Sequence, residues 1–276
     1  MADLSLVNQL LGDLRGDDKE KQRQALYRLA QLRSRVAVPA LIEVLRHKDR
    51  EMRVLAIHTL SIIGDSAAVP ALIDRLSDRS KDVRRAAAQA LGALGQESAV
   101  PGLVGVLLGD DSSYVRWEAA KALGVLADIA ALPELLEALS ADSSSYVRYA
   151  AAEALGAIGE TTAVDGLEAA LLHDDNHHVQ YAAAKALGQI ADPTAVPALL
   201  TALNNPNSQV WHAAAEAIWF IDEMAMPYVL EALLNPDPMM RRAALKALLW
   251  LSAEYDDDEA QDRDDTDWVD TWGWWN

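Results

Sequence analysis

The chain has 276 residues, 51% of them hydrophobic, and its 42 acids against 24 bases give a formal net charge of −18. It contains no cysteine, which excludes disulfides, thiolate metal sites and cysteine nucleophiles. No apolar run approaches the roughly 18 residues of a membrane span, and an acidic chain with no basic stripe cannot replace the counterions of a nucleic acid.

The N-terminal stretch MADLSLVNQLLGDLRGDDKEK lacks the basic start and continuous apolar run of a signal peptide, so a soluble, cytoplasmic protein is expected. From Pro39 onward two registers run together. Prolines fall at Pro39, Pro70, Pro101, Pro133, Pro197 and Pro227, with Asp165 in the vacant slot, at intervals of 31, 31, 32, 32, 32 and 30. An apolar residue, usually followed by arginine, recurs at Met52, Val83, Val115, Val147, Val179, Val210 and Met240. A repeat of this length is the mark of a stacked architecture.

Each unit reads as two helices. AVPALIDRLSD (Ala68–Asp78) opens with proline in the first turn, where its missing N–H is harmless, and stops at a polar cluster. KDVRRAAAQALGALG follows, with Val83, Ala87, Ala90, Leu91 and Leu94 on one helical face and Gly95 as a left-handed C-cap. Neither helix can bury its stripe alone, so neighbouring pairs must stack. The predicted fold is all-α, a right-handed solenoid of about eight helix pairs over residues 1–253, with an acidic, tryptophan-rich tail over 254–276.

The recurring AVPAL opening and the VRxAAAxALGxIG second helix resemble HEAT repeats, in particular the PBS-lyase HEAT-like class. The resemblance covers residues 4 to 253 and implies a ladder of Asp–Arg pairs along the turns, with Asp78–Arg84, Asp110–Arg116 and Asp142–Arg148 matching. The pattern fails where Gln180 and Trp211 replace arginine, where Asn205 replaces aspartate, and where Trp219 replaces the glycine found at 92, 124, 156 and 188. Unit one lacks the proline and glycine markers, as terminal units that cap a stack commonly do.

In such solenoids the second helix lines the concave side. Positions one before, two after and six after the valine marker share a face away from the core stripe. They are Tyr114, Trp117 and Lys121 in unit four, Tyr146, Tyr149 and Glu153 in unit five, His178, Tyr181 and Lys185 in unit six, and Gln209, His212 and Glu216 in unit seven, with Trp211 beside them. The aromatics either cover adjacent helices or form a recognition surface, since Tyr, Trp and Arg anchor interfaces. The alternating lysines and glutamates, continued by Lys246, are expected to form an inter-repeat salt-bridge ladder.

HDDNHH (His173–His178) carries metal-ligating residue types, but adjacent histidines point apart on a regular element and its aspartates suit an N-cap, so no metal and no cofactor are expected. There is no GxSxG, GxxxxGK[ST] or HExxH motif, and no catalytic residue is assigned. In the tail, ten acids and one base (net −9) precede or surround Trp268, Trp272, Trp274 and Trp275, which either fold back on the last repeats or engage a partner. The resulting expectation is a non-catalytic scaffold or adaptor binding a protein partner on its concave face. The resemblance also implies an alternative, a bilin (phycobiliprotein chromophore) lyase subunit or phycobilisome-handling protein, with Trp117, Tyr146, Tyr149 and Tyr181 around the bilin. The chain departs from that group in lacking a YAAWWLG-like motif and any cysteine-containing isomerase motif.

Overall fold

In the computed structural model, which describes residues 4–252, the chain forms sixteen α-helices in eight pairs, with no strand among the described residues. The pairs are α1 (Leu4–Arg15) and α2 (Lys19–Leu32), α3 (Val38–Val44) and α4 (Arg50–Ile63), α5 (Val69–Arg75) and α6 (Lys81–Leu94), and α7 (Val100–Gly109) and α8 (Ser113–Leu126). They continue with α9 (Leu132–Ala141) and α10 (Ser145–Ile158), α11 (Val164–His173) and α12 (His177–Ile190), α13 (Val196–Ala202) and α14 (Ser208–Ile221), and α15 (Met226–Leu233) and α16 (Pro238–Ser252). The fold is an all-α solenoid, as the two registers require. The tail predicted for 254–276 lies outside the described residues.

The first helix of the third unit is shorter than the Ala68–Asp78 segment predicted for it. A 3₁₀ turn, Ser66–Ala68, precedes it, and Asp65 caps that turn by accepting from the Ala67 N–H. At the far end the Asp78 carboxylate accepts from the Ser80 N–H, which folds the chain into a tight turn and starts the second helix. The second helices from α2 to α12 end on a left-handed residue: Gly64, Gly95 and Gly159 supply it without a Cβ penalty, whereas Arg33 (φ 47°), Ala127 (φ 49°) and Ala191 (φ 55°) bear it.

The core is a continuous stack of Leu, Val and Ala. Val83, Ala87, Ala90 and Leu91 are fully buried, and Leu94 packs at the margin. What spaces the repeats differs on the two sides. Between second helices, a Cβ on Gly92, Gly124, Gly156 or Gly188 would stand only 2.9–3.0 Å from the Cα of Ala122, Ala154, Ala186 or Ala217. Between first helices the spacers are branched side chains, such as Ile73 and Leu76 against Gly102. The second helices therefore approach backbone to backbone, and the stack curves toward them.

A ladder of ion pairs runs along the turns, but its rungs differ from those expected. Within a repeat, Arg84, Arg116 and Arg148 donate to the backbone carbonyls of Asp78, Asp110 and Asp142. Their guanidinium forks instead grip the carboxylate of the following repeat: Arg84 on Asp110 (2.5 and 2.9 Å), Arg116 on Asp142 (2.7 and 2.8 Å) and Arg148 on Asp174 (2.7 and 2.9 Å), with Arg53 on Asp78 at 2.9 Å. One arginine thus fixes its own turn and clamps the next, because its planar fork has donors enough for both. The rung after these is neutral, Asn205 donating to Gln180 at 3.0 Å. At Trp211 no rung can form.

Burial pushes the Asp110 and Asp174 carboxyls up, but the Arg84 and Arg148 hydrogen bonds, the Ser112 and Asn176 N–H groups and the guanidinium charges outweigh it, and both finish below the ordinary value of 3.8. A depressed folded value means that the stabilisation is complete above pH 3.8 and fades as pH falls through the folded values. Arg116→Ala would remove the fork that holds Asp142, whose side chain is 8% exposed in the intact pair, so we expect a loss of about 3–5 kcal/mol, read by urea unfolding at pH 7. A loss below about 1 kcal/mol would mean that the ladder behaves as a surface pair.

Candidate functional site

The inner face of α8, α10, α12 and α14 carries the aromatic band predicted from sequence. Each −1 residue sits in the first turn of its helix, and each +2 residue lies one turn further along the same face. Tyr114 and Tyr146 are 63% and 58% exposed. Trp117, Tyr149 and Tyr181 are half-buried and rest against the core with one side. His178 and His212 are likewise half-buried. The two readings of the band therefore divide by register: the +2 rings cover the helices below, and the −1 rings stand into the groove.

The expected salt-bridge ladder among the +6 residues is absent: among the described residues Lys121, Glu153, Lys185, Glu216 and Lys246 make no ion pair with one another. The lysines lie over rings of their own band. Lys121 Nζ is 4.3 Å from the Trp117 ring centre and Lys185 Nζ is 5.4 Å from that of Tyr181, while Lys81 reaches Tyr114 at 6.0 Å. Positions +2 and +6 are one helical turn apart, so the cation–π contact is local and competes with any contact across repeats. Glu153 accepts from the Tyr149 hydroxyl at 2.8 Å.

Burial pushes the Glu153 carboxyl up, against the Tyr149 hydrogen bond and the Lys185 and Lys121 charges. Burial and the neighbouring Glu153 charge likewise raise the Tyr149 hydroxyl, which stays protonated and keeps donating. Two further groups belong to this surface and were not found by pattern. Glu118, at the third position after the marker, is 8% exposed, and burial raises its carboxyl more than Lys121 and Arg85 lower it. His58, two repeats earlier, has its imidazole value lowered by partial desolvation and by the Arg85 charge. Both were within reach of the pattern, since His58 stands at the +6 register of the second repeat and Glu118 interrupts a register that is alanine at 86, 150, 182, 213 and 243.

Trp211 and His212 sit apart from the band. The two rings stack at 3.6 Å, Trp250 meets them edge-on at 6.3 and 5.8 Å, and Lys246 lies 5.7 Å over Trp211. The pair expected to bind a partner thus also contacts the last repeat, through Trp250 and Lys246. In the HDDNHH segment, Asp174 and Asp175 both hold Arg148, and Asn176 caps α12. Trp268, Trp272, Trp274 and Trp275 lie outside the described residues.

The sequence profile of HEAT repeats matches residues 6–91, 69–156 and 132–219. No curated protein matches the chain. Among solved structures, YibA of Escherichia coli is 22% identical with a TM-score of 0.58, covering 92% of this chain and 97% of its own. An engineered protein is 24% identical with a TM-score of 0.56, covering 89% of this chain and 78% of its own. The complex of CpcE and CpcF of phycocyanin lyase from Nostoc sp. PCC7120 is 22% identical with a TM-score of 0.51, covering 89% and 93%. At these identities the likeness is one of fold.

The Glu118 carboxyl supplies a test of the electrostatics of the face. Its folded value stands above the ordinary 4.5, so its charge costs stability as pH rises through 4.5 and beyond, and costs nothing below. Glu118→Gln should therefore melt higher than the parent at pH 7, with the gap closing toward pH 4. A variant that melts lower at pH 7 would show that Lys121 and Arg85 outweigh the burial.

Proposed function

Because the chain belongs to the HEAT-repeat family, we propose that it is a non-catalytic scaffold that binds a protein partner across the inner face of α8, α10 and α12. The observation that carries this reading is the pair of tyrosines at the −1 register, Tyr114 and Tyr146, which stand more than half exposed in consecutive repeats. The fold does not require an aromatic there, since the two preceding repeats place Glu51 and Asp82 at the same register. Tyrosine is a favoured interface anchor because it adds contact area and a hydroxyl for little side-chain entropy. On the same face Lys121, Glu153 and Lys185 alternate in charge at the +6 register. A partner helix or extended segment with apolar and guanidinium side chains fits that mixture, the guanidinium stacking on the tyrosines. Lys121, Lys185 and Glu153 are engaged by Trp117, Tyr181 and Tyr149, which favours positioning over proton transfer.

A second reading, handling of a bilin or a phycobiliprotein, draws on the likeness to the CpcE and CpcF complex, which is a likeness of fold. Titration with a free bilin separates the two. The scaffold reading expects an unchanged bilin absorbance spectrum, and saturable binding would reverse the order.

The cleaner mutational probe is the exposed pair rather than the half-buried rings, whose removal would also disturb the core. With a partner isolated on the full chain, Tyr114→Ala with Tyr146→Ala should leave the melting temperature unchanged. Binding should weaken by about 30-fold per anchor, the equivalent of about 2 kcal/mol each, measured by calorimetry. Equal affinity of the parent and the double variant would sink the assignment of this face.

A further inference from the structure

Interior repeats meet their successors at two register positions. In the first helices it is the residue three after the proline slot: Ile73 meets Gly102, and Leu136 meets Gly166. In the second helices it is the residue five after the valine marker, one turn before the row of glycines and on the same face. There Ala88, Ala120, Ala152 and Ala184 are fully buried and Ala215 is 3% exposed. In the last repeat the two positions are Leu230 and Leu245, 51% and 55% exposed, and Leu234 beyond them is 87% exposed. A solenoid end normally turns a polar face outward, and this one turns leucines.

A ninth repeat, or the end of a second copy, does not fit this face. From Gly92 to Gly188 the second helices meet backbone to backbone at the glycine register, and the last repeat carries Leu249 there, so the same close contact cannot form. End-to-end copies would also grow without closing, against a net charge of −18 on each chain. Flat aromatic rings suit the face better, because they can cover leucine side chains without a close backbone approach. Charge points the same way. Helix α16 carries Arg241, Arg242 and Lys246 and no acid, and none of the three forms an ion pair among the described residues. The chain continues from this helix with the acidic run Asp256–Asp267 and then the four tryptophans. From Ser252 to Trp268 an extended chain reaches about 50 Å, well beyond a face two helices wide, about 20 Å.

We infer that the chain caps itself: the acidic run lies along the bases of α16, and Trp268, Trp272, Trp274 and Trp275 cover Leu230 and Leu245. The cap makes the tail part of the solenoid and leaves the inner face as the surface for a partner.

Hydrogen exchange on the full chain, with light scattering for mass, tests the cap. Replacing the four tail tryptophans by serine alters only residues beyond α16. In that variant the amides of α15 and α16 should exchange at least tenfold faster, while those of α6 to α12 hold their rates. In the parent, 1 M salt should speed the same two helices by screening the acidic run. Leu230→Glu with Leu245→Glu should in turn free the amides of 268–275. Should the Leu→Glu pair unfold the last repeat, the tryptophan variant still decides. Tail amides that exchange at free-peptide rates in the parent overturn the cap, as do α15 and α16 rates unmoved by the serine variant. A dimer broken by Leu245→Glu and kept by the serine variant would assign the face to a second copy.

Discussion

A glycine in one helix facing an alanine in the next sets the geometry on which the rest of this molecule depends. Because Gly92, Gly124, Gly156 and Gly188 have no Cβ, the second helices approach through their backbones, while the first helices are held apart by leucine, isoleucine and valine. The difference bends the stack toward the second helices and gathers their +2 and +6 side chains on the inner side. The arginine ladder depends on the same approach, since a guanidinium can hold its own turn and the next aspartate only if the two turns are close. The glycines place the rungs, and the rungs hold the turns in place.

The geometry lapses where its residues lapse. Trp219 stands at the glycine register of α14 and is 52% exposed, so α16 cannot come as near to α14 as its predecessors come to one another. It crosses toward α13 instead, where Lys246 bonds the Leu203 carbonyl at 2.8 Å and Asn204 bonds that of Met239 at 3.1 Å. The ladder weakens in step, from charged rungs at Arg53 to Arg148, to a neutral one at Gln180, to the aromatic joint of Trp211, His212 and Trp250. In a stack whose stability is a sum over neighbouring interfaces, the last joint is held by different means from the others.

The solenoid was legible because each repeat writes the same physics. Proline, valine marker and glycine recur with the period of one helix pair, and a two-state pattern repeated seven times leaves little freedom of fold. What was misread lay between repeats. Asp78 and Arg84 are six residues apart in sequence, yet Arg84 grips Asp110, because a side chain leaving the first turn of a helix points across the stack. The lysine–glutamate row was read as inter-repeat pairs for the same reason of period, and the structure resolves it into contacts one helical turn long. Glu118 and His58 stand at registers that the period marks, at +3 and +6, and were passed over because each is a single departure rather than a repeated one. The burial of Glu118 depends on the packing around it, which a single sequence does not display.

The exposed tyrosines and the exposed leucines mark two departures from a uniform stack, and they differ in kind. Tyr114 and Tyr146 stand where the two preceding repeats have acids, at a register that no repeat buries fully, so the change leaves the packing as it was. Leu245 occupies a register that is buried from Ile57 to Ala215, and Leu230 one that is half-buried or buried in the interior repeats, so their exposure reflects a missing neighbour. An exposed ring at a register that the stack leaves open suits a partner that comes and goes, whereas an exposed leucine at a register that a neighbour otherwise covers calls for a permanent cover. By that criterion the proposed partner face and the proposed cap are separate surfaces of the stack.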